Sequence, residues 1–303
     1  MKLSSSTSFA RGRPVLGLSI ISSSQQFTEL ASNVKSLSVV LPAFNEEANI
    51  RAVVEDAYRT IPKLAPVFEI IVVNDGSKDR TGEICDRLVE ELSNVRVVHH
   101  PQNRGYGAAL KSGIKLARHD LIFFTDADGQ FDFKEVAALL EKTDAYDIVA
   151  GYRARRQDPP HRLLFAWGWN ILVGLVLGVR IRDIDCAFKV FNRHVFDRVQ
   201  IQSVGAMVNT EIFAQVSRFG MTVKEVPVSH FPRQHGESTG GNVAVIIKAF
   251  RELIRIRRKV DSIAAVIRRI RRVQARQQSC DKSILSTPSS VRKIFDPGPI
   301  TSK

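Results

Sequence analysis

Cysteine is scarce in this chain, and its cysteines are not spaced as a redox or metal-binding motif requires. The 303 residues contain three cysteines, Cys85, Cys186 and Cys280, and no CxxC pair. This argues against a structural zinc site and against a disulfide framework. The composition favours a reducing compartment, so the cytosolic side is the expected location.

The sequence also lacks the common phosphate-binding and calcium-binding loops. The segment GYGAAL approaches a dinucleotide fingerprint, but Leu110 occupies the third glycine position, and no GxxxxGK[ST] segment occurs. An EF-hand loop that began at Asp126 would need Gly and Glu where Phe131 and Ala137 stand. A Rossmann dinucleotide site, a P-loop and an EF-hand are therefore not expected.

No uncharged run is clearly long enough to cross a bilayer. The run 163–179 has 17 residues, carries Trp167 and Trp169 near one end, and is flanked by Arg162 and Arg180. This length is barely sufficient for a membrane span. We expect a helix lying in the membrane interface, with a buried core helix and a span as alternatives.

Positive charge is concentrated near the C-terminus. The net charge is +13, and residues 251–276 hold ten basic and two acidic residues. Apolar residues recur there at spacings of 3 and 4: Leu253, Ile256, Val260, Ile263, Ile267 and Ile270. This pattern predicts a basic amphipathic helix on an anionic membrane surface, with docking on the rest of the chain, or a coiled coil in a possible homo-oligomer, as the alternatives. A nucleic-acid partner is not expected, because aromatic residues do not alternate with the basic ones.

The middle of the chain alternates apolar bursts with helical periodicity. The bursts LSVVLPAFN, FEIIVVNDGS, VRVVHH and DLIFFTDAD predict strands. Helices are predicted over 46–60, 79–92, 107–117 and 133–142. Continuously apolar strands that alternate with helices indicate an α/β fold with a mainly parallel sheet covered on both faces.

Composition divides the chain into four parts. The first is Ser-rich and resembles a disordered or targeting leader. The α/β pattern, the basic helical segment and a tail expected to be disordered follow it. The predicted boundaries are 1–36, 37–240, 241–276 and 277–303.

Three of the predicted strands end in polar, turn-forming residues. These segments are 42–46, 74–77 and 126–130. In parallel sheets, ligands bind at the carboxyl ends of the strands, so we expect the three segments to converge on one site.

The acidic pair after the fourth predicted strand suggests a metal. Asp126 and Asp128 are two positions apart, so in an extended chain both side chains point to one side and can bind a hard divalent cation such as Mg²⁺ or Mn²⁺. A helix-capping role is the alternative for these acids, and it suits Asp132 best.

A family resemblance is carried by four segments in this order: VVLPAFNEEANI, IIVVNDGSKDRTGEI, NRGYGAALKSGIKLA and FFTDADGQFD. They resemble the family 2 glycosyltransferases, which have the GT-A fold, a Rossmann-like α/β fold. Three later segments are similar to dolichol-phosphate mannose synthases and related polyprenyl-phosphate glycosyltransferases: IRDIDCAFKVFNR, VNTEIFAQVSRFG and VKEVPVSHFPRQHGES. The resemblance covers about residues 37–258.

The resemblance implies a set of site residues. It assigns the nucleotide-sugar site to Pro42, Phe44, Glu46, Val73, Asp75, Asp126, Ala127, Asp128, Gln130, Arg153 and Arg233. It assigns the acceptor phosphate to Arg153, Arg233 and Ser238, and the metal to Asp126, Asp128 and Gln130. The residues expected to carry catalysis are Asp126, Asp128 and Arg233. Glu211 matches a family position that often holds a catalytic acid, and we expect it to position substrate, because an ionised phosphate acceptor needs no base.

The activity implied is inverting transfer of a hexose from a GDP- or UDP-linked sugar to a polyprenyl phosphate, with a divalent metal, at the cytoplasmic face of a membrane. Three alternatives stay open. A nucleotidyltransferase would use the same acidic pair, a glycosyltransferase could act on a non-lipid acceptor, and a membrane-binding adaptor would leave the acidic pair unexplained.

Overall fold

The structure is a computed structural model that describes residues 35–154, 160–233 and 251–263, together with positions 265, 266, 269 and 272. Over 160–166 it describes the backbone alone. Almost all of the predicted leader and the whole predicted tail lie outside these residues. The four domain boundaries therefore stay predictions.

Seven strands form one sheet. Their bounds are β1 Ser36–Ala43, β2 Val67–Asn74, β3 Val95–His99, β4 Leu121–Phe124, β5 Ile148–Arg153, β6 Lys189–Asn192 and β7 Val223–Val228. The order across the sheet is β3-β2-β1-β4-β6-β5-β7. Only β6 runs antiparallel to its neighbours, β4 and β5. The mainly parallel sheet predicted from the sequence is confirmed.

The helices follow the strands in the predicted order. They are α1 Ile50–Thr60, α2 Thr81–Glu91, α3 Tyr106–Leu116, α4 Val136–Leu140, α5 Pro160–Leu177, α6 Val195–Arg198 and α7 Val208–Phe219, and α8 covers residues 251–263. A short 3-10 helix, Phe133–Glu135, precedes α4. Its capping residue is Asp132, which accepts a hydrogen bond from the Lys134 backbone N–H at 2.9 Å. The capping role suggested for Asp132 is confirmed.

Both faces of the sheet are covered. In β1 and β4, alternate residues enter different halves of the core: Val39 and Phe123 lie in one half, and Val40 and Phe124 in the other. All four side chains are fully buried. Successive side chains of a strand point to opposite faces, so these continuously apolar strands require cover on both sides.

Helix α5 is buried on one side and exposed on the other. Val173 and Leu177 belong to the core, whereas Trp167, Ile171 and Leu175 are exposed at a spacing of four residues. This helix therefore combines the predicted core packing with an apolar surface stripe. Within the part of the chain that the structure describes, no helix has the length and apolar character needed to cross a membrane.

Helix α8 packs against the domain. Its apolar residues Leu253, Ile256 and Val260 are buried in the same half of the core as Ile212 of α7. Residues 251–263 thus dock on the rest of the chain, which was one of the alternatives predicted for this segment. The basic residues Arg255 and Arg258 remain exposed.

Candidate active site

A cavity of about 730 Å³ lies where β1, β2 and β4 end. These strands are neighbours in the sheet, so the polar segments that follow them converge, as predicted. Of the predicted site residues, Pro42, Phe44, Glu46, Asp75, Asp126, Ala127, Asp128 and Arg233 line this cavity. Sequence reasoning missed other lining residues, which include Asn103, Tyr106, Asp185, Ala206 and Asn209.

Asp75 is fixed at the β2 end of the cavity by several donors. One carboxylate oxygen is 2.5 Å from Nδ1 of His100 and accepts from the Arg104 backbone N–H at 3.0 Å. The other oxygen accepts from the Gly105 N–H at 2.7 Å. Gly105 has φ of 96°, and a Cβ there would lie 2.4 Å from the Val204 carbonyl oxygen, so the close approach of these loops requires glycine.

Glu46 and Arg233 bridge the cavity. One Glu46 oxygen accepts from the Asn49 side-chain amide at 2.7 Å, and the other is 2.5 Å from Nη2 of Arg233. Nη1 of Arg233 is 3.9 Å from the Asp128 carboxylate. A guanidinium group, which can also bind phosphate oxygens in a paired manner, thus already lies between two carboxylates of the site.

The acidic pair has unusual electrostatics. Burial, followed by the charge of Asp128, raises the pKa of Asp126 to about 6, and Tyr106, Lys189 and Arg153 act in the opposite direction. Like charges this close disfavour ionisation, so a divalent cation would relieve a repulsion that is built into the site.

The residues present fit a hard divalent cation that is completed by its substrate. Asp126 and Asp128 offer carboxylate oxygens, the ligands that Mg²⁺ and Mn²⁺ prefer. No group of three or more His, Cys, Asp or Glu side chains with metal-binding geometry occurs among the described residues. Two protein carboxylates leave positions for water and phosphate oxygens, as is common for Mg²⁺.

Gln130 follows the acidic pair but contacts a different loop. Its backbone N–H donates to Asp128 at 3.2 Å, whereas its side-chain Nε2 donates to the Phe231 carbonyl at 2.8 Å. The side-chain nitrogen of Gln130 is thus engaged by the Phe231 carbonyl, and the metal contact of Gln130 stays a prediction. Ser238 lies outside the described residues.

Val73 and Arg153 are not brought to the cavity wall. The Val73 side chain is fully buried in the core, because alternation along β2 directs it into the sheet packing. The guanidinium of Arg153 pairs with both carboxylate oxygens of Asp183, at 2.6 and 2.7 Å. The nucleotide-sugar role of Val73 and the phosphate roles of Arg153 therefore stay predictions, and Arg153 has in Asp183 a buried partner that the sequence did not reveal.

A buried lysine lies behind the acidic pair. Lys189 on β6 is fully buried, and its Nζ donates to the Ile184 carbonyl at 3.3 Å and lies 5.5 Å from the centre of the Phe124 ring. Burial lowers the pKa of Lys189 below its usual range. The charge of this lysine acts on Asp126. The sequence does offer a signal for this buried lysine, because Lys189 interrupts the apolar run CAFKVF.

Glu211 has a structural partner instead of a place in the cavity. It is 1% exposed, one oxygen accepts from the backbone N–H groups of Gln202 and Ser203 at 2.8 Å, and the other is 2.8 Å from Nζ of Lys259 on α8. The expectation that Glu211 positions substrate directly is not supported by this arrangement.

Comparisons with known proteins identify the family of this chain. The family model described as glycosyl transferase family 2 matches residues 38–200. The chain is 32% identical over 241 residues to the dolichyl-phosphate beta-glucosyltransferase ALG5A of Trichomonas vaginalis, covering 73% of this chain and 72% of that protein. It is 34% identical over 207 residues to glycosyltransferase AglD of Haloferax volcanii, covering 65% of this chain. The chain spans only 33% of the length of AglD.

A solved structure shares the fold. Glucosyl-3-phosphoglycerate synthase from Mycobacterium tuberculosis, in complex with Mn²⁺ and UDP-glucose, matches with a TM-score of 0.55 at 21% identity, covering 80% of this chain and 82% of that one. The GT-A fold predicted from the sequence is confirmed. Because the family model also covers more than half of the 303 residues, this chain belongs to glycosyl transferase family 2.

Proposed function

We propose that this enzyme transfers a hexose from a nucleoside-diphosphate sugar to a polyprenyl phosphate, with inversion at the anomeric carbon and with a divalent metal. The observation that carries the proposal is the arrangement of the cavity. Asp75 lies at one end, Asp126 and Asp128 lie beside it, and Arg233 reaches in from the opposite loop. Such a site suits a nucleoside, a metal-bound diphosphate and a second phosphate.

In this proposal each residue acts on one part of the substrates. Phe44 and Glu46 contact the base and ribose, and Asp75, already fixed by His100 and two backbone N–H groups, accepts hydrogen bonds from the nucleoside. Asp126 and Asp128 would hold Mg²⁺ or Mn²⁺, which when bound neutralises charge on the departing diphosphate.

The bond changes balance without a proton transfer. An ionised oxygen of the acceptor phosphate forms a bond to the anomeric carbon while the bond from that carbon to the diphosphate breaks. Arg233 exchanges its carboxylate partners for phosphate oxygens, which holds the reacting groups in line and offsets developing charge. A reaction of this kind needs no covalent intermediate and no general base.

Two observations support a lipid acceptor. The relative from Trichomonas is named for dolichyl phosphate. Helix α5 exposes Trp167, Ile171 and Leu175 along one stripe, as is typical of a surface in contact with a membrane interface. We propose peripheral attachment to the cytoplasmic face, with the exposed basic residues of α8 directed at anionic lipid.

A non-lipid acceptor is the second candidate. The structural neighbour is named for glucosyl-3-phosphoglycerate synthesis, which is transfer to a small phosphorylated acceptor on the same fold. Family membership leaves the nucleotidyltransferase and adaptor alternatives without support.

A panel assay tests the proposal. UDP-glucose, GDP-mannose and UDP-N-acetylglucosamine are each incubated with the enzyme, Mn²⁺ and either dolichyl phosphate in vesicles, 3-phosphoglycerate or no acceptor. We expect one donor to label the lipid. Labelling of phosphoglycerate alone would favour the second candidate, and labelling of neither acceptor with any donor would contradict both.

A further inference from the structure

Two polar atoms in the cavity wall are buried and make no hydrogen bond of full geometry to any described residue. They are the hydroxyl oxygen of Tyr106 and Oδ1 of Asn209, and both residues line the cavity. Asn209 is only 4% exposed. Buried polar groups in native proteins are almost always hydrogen-bonded, and leaving one unpaired is unfavourable. In a substrate cavity, an unpaired Asn209 Oδ1 beside a Tyr106 hydroxyl that keeps free lone pairs indicates that the substrate supplies the missing partners.

The two residues share one wall of the cavity. Tyr106 begins α3 and Asn209 lies in the first turn of α7. The loop before α7 joins these helix starts, because the Val204 carbonyl accepts from the Gly107 N–H at 2.9 Å. The Tyr106 hydroxyl also faces the Asp126 carboxylate, and this interaction raises the pKa of Tyr106 and lowers that of Asp126, although its geometry falls short of a full hydrogen bond. This wall therefore adjoins the acidic pair, where the proposed diphosphate ends and its sugar begins.

The chemistry of the wall selects the group it can bind. Oδ1 of Asn209 is a hydrogen-bond acceptor, and the nearby carboxylates of Asp126 and Asp185 are acceptors too. An ionised phosphate oxygen only accepts hydrogen bonds, so it cannot pair with Oδ1 of Asn209. Sugar hydroxyls fit, because each can donate to an acceptor, and the oxygen of the Tyr106 hydroxyl, whose proton faces Asp126, can accept as well.

We infer that Tyr106 and Asn209 form the subsite that recognises hydroxyl groups of the donor hexose. The inference rests on the proposed function and adds the residues that bind the sugar. It implies that the enzyme selects its donor sugar through hydrogen bonds to the sugar hydroxyls. A donor that lacks a recognised hydroxyl leaves a buried polar group unpaired and binds more weakly.

The test compares a nucleotide with its sugar conjugate. Dissociation constants for UDP and UDP-glucose, and for GDP and GDP-mannose, are measured with Mn²⁺ by calorimetry. We expect Tyr106→Phe and Asn209→Ala each to weaken binding of the nucleotide sugar about tenfold, while binding of the free nucleotide stays within about twofold. Retained nucleotide binding also shows that each variant is folded.

A matched control lies beside Asn209. The hydroxyl of Thr210 is likewise buried and unpaired, but Thr210 does not line the cavity, so Thr210→Val should change neither constant. Monodeoxy analogues of the bound nucleotide sugar provide a second measurement on the unmodified enzyme. At least one should bind about tenfold more weakly, and Asn209→Ala or Tyr106→Phe should abolish that difference.

The outcomes separate the two claims. Equal losses for nucleotide and nucleotide sugar, or no loss in either variant, would overturn the subsite while leaving the proposed function intact. Failure of the unmodified enzyme to bind any of the four compounds would contradict the proposed function and the subsite with it.

Discussion

At the residue scale, the charge of the acidic pair is offset from two sides. Arg233 approaches Asp128 from the loop after β7, and Lys189 acts on Asp126 from beneath the cavity. These cations offset the carboxylate repulsion only in part, because the pKa of Asp126 remains raised to about 6. A bound cation would therefore lower the remaining electrostatic repulsion in this site.

The raised pKa of Asp126 makes metal-free stability depend on pH. Because the folded protein disfavours the ionised form, the stability linked to Asp126 is fully present below pH 3.8, the ordinary pKa, and is lost as pH rises through about 6. Asp126→Asn removes this loss. In EDTA at pH 7.5 we expect its melting temperature to exceed that of the unmodified protein by about 2–4 °C, or about 1 kcal/mol, and the gain to vanish below pH 4.

The control for this measurement is Asp197→Asn, which alters an exposed carboxylate on α6. It should leave the melting temperature unchanged across the pH range. A gain for Asp126→Asn that is the same at pH 4 and pH 7.5 would contradict the electrostatic explanation.

The paired geometry of the Arg233 guanidinium predicts that charge alone is insufficient. Arg233→Lys keeps the charge but cannot bind Glu46 and phosphate oxygens through a planar fork. We expect kcat/KM for sugar transfer to fall about 10–100-fold, with the melting temperature within about 2 °C of normal. Arg198→Lys, an exposed position, serves as the control. Near-normal transfer by Arg233→Lys would contradict a role for the Arg233 guanidinium in binding phosphate.

At the element scale, α8 is tied to the domain by a buried ion pair as well as by its apolar stripe. Lys259 is the only cation among the described residues that pairs with Glu211, whose carboxylate is almost fully buried. The other oxygen of that carboxylate accepts hydrogen bonds from the backbone N–H groups of Gln202 and Ser203, which fixes this loop. Helix α8 thereby supports the loop that precedes α7.

Removing the cation should destabilise the protein, because it leaves a buried carboxylate without its charge partner. For Lys259→Met we expect a loss of about 2 kcal/mol, a fall in melting temperature of about 4–8 °C. Arg258→Met makes the same change of charge at an exposed neighbouring position and should cost less than about 0.5 kcal/mol. Equal melting temperatures for the two variants would contradict the assigned role of the pair.

The proposed membrane contact is assigned to the exposed stripe of α5. Leu175 is 79% exposed, so Leu175→Glu should not disturb the core but should place a charge in the apolar stripe. We expect its binding to vesicles of mixed neutral and anionic lipid to weaken at least fivefold in a sedimentation assay. Val89→Glu, at an exposed apolar position on α2, is the control. Unchanged vesicle binding by Leu175→Glu would remove α5 from the membrane contact.

At the scale of the whole molecule, local patterns predicted the half of the domain that is built from consecutive strand and helix units. β1, β2, β3 and β4 and the loops with Glu46, Asp75 and Asp126 follow from periodicity and turn chemistry, because neighbouring residues determine them. No single segment of the sequence predicts that β6 lies between β4 and β5 and runs antiparallel to both.

Partners distant in sequence were the part that could not be predicted. Arg153 binds Asp183 and Glu211 binds Lys259, in each case across at least 30 residues. Such pairs arise only when separate elements pack together, and a lone Arg or Glu in a sequence gives no sign of which opposite charge it will meet. For the same reason the unpaired groups of Tyr106 and Asn209 became visible only in the folded chain.

The metal dependence of sugar transfer is the most direct test of the proposed site at Asp126 and Asp128. The formation of glycosylated dolichyl phosphate is measured against Mn²⁺ concentration for the unmodified enzyme and for Asp128→Asn, with melting curves in EDTA as the check on folding. We predict that transfer requires the metal, that Asp128→Asn needs at least tenfold more Mn²⁺ and reaches a lower maximum, and that its metal-free stability equals or slightly exceeds normal. Transfer that is independent of metal and unchanged in Asp128→Asn would contradict the account.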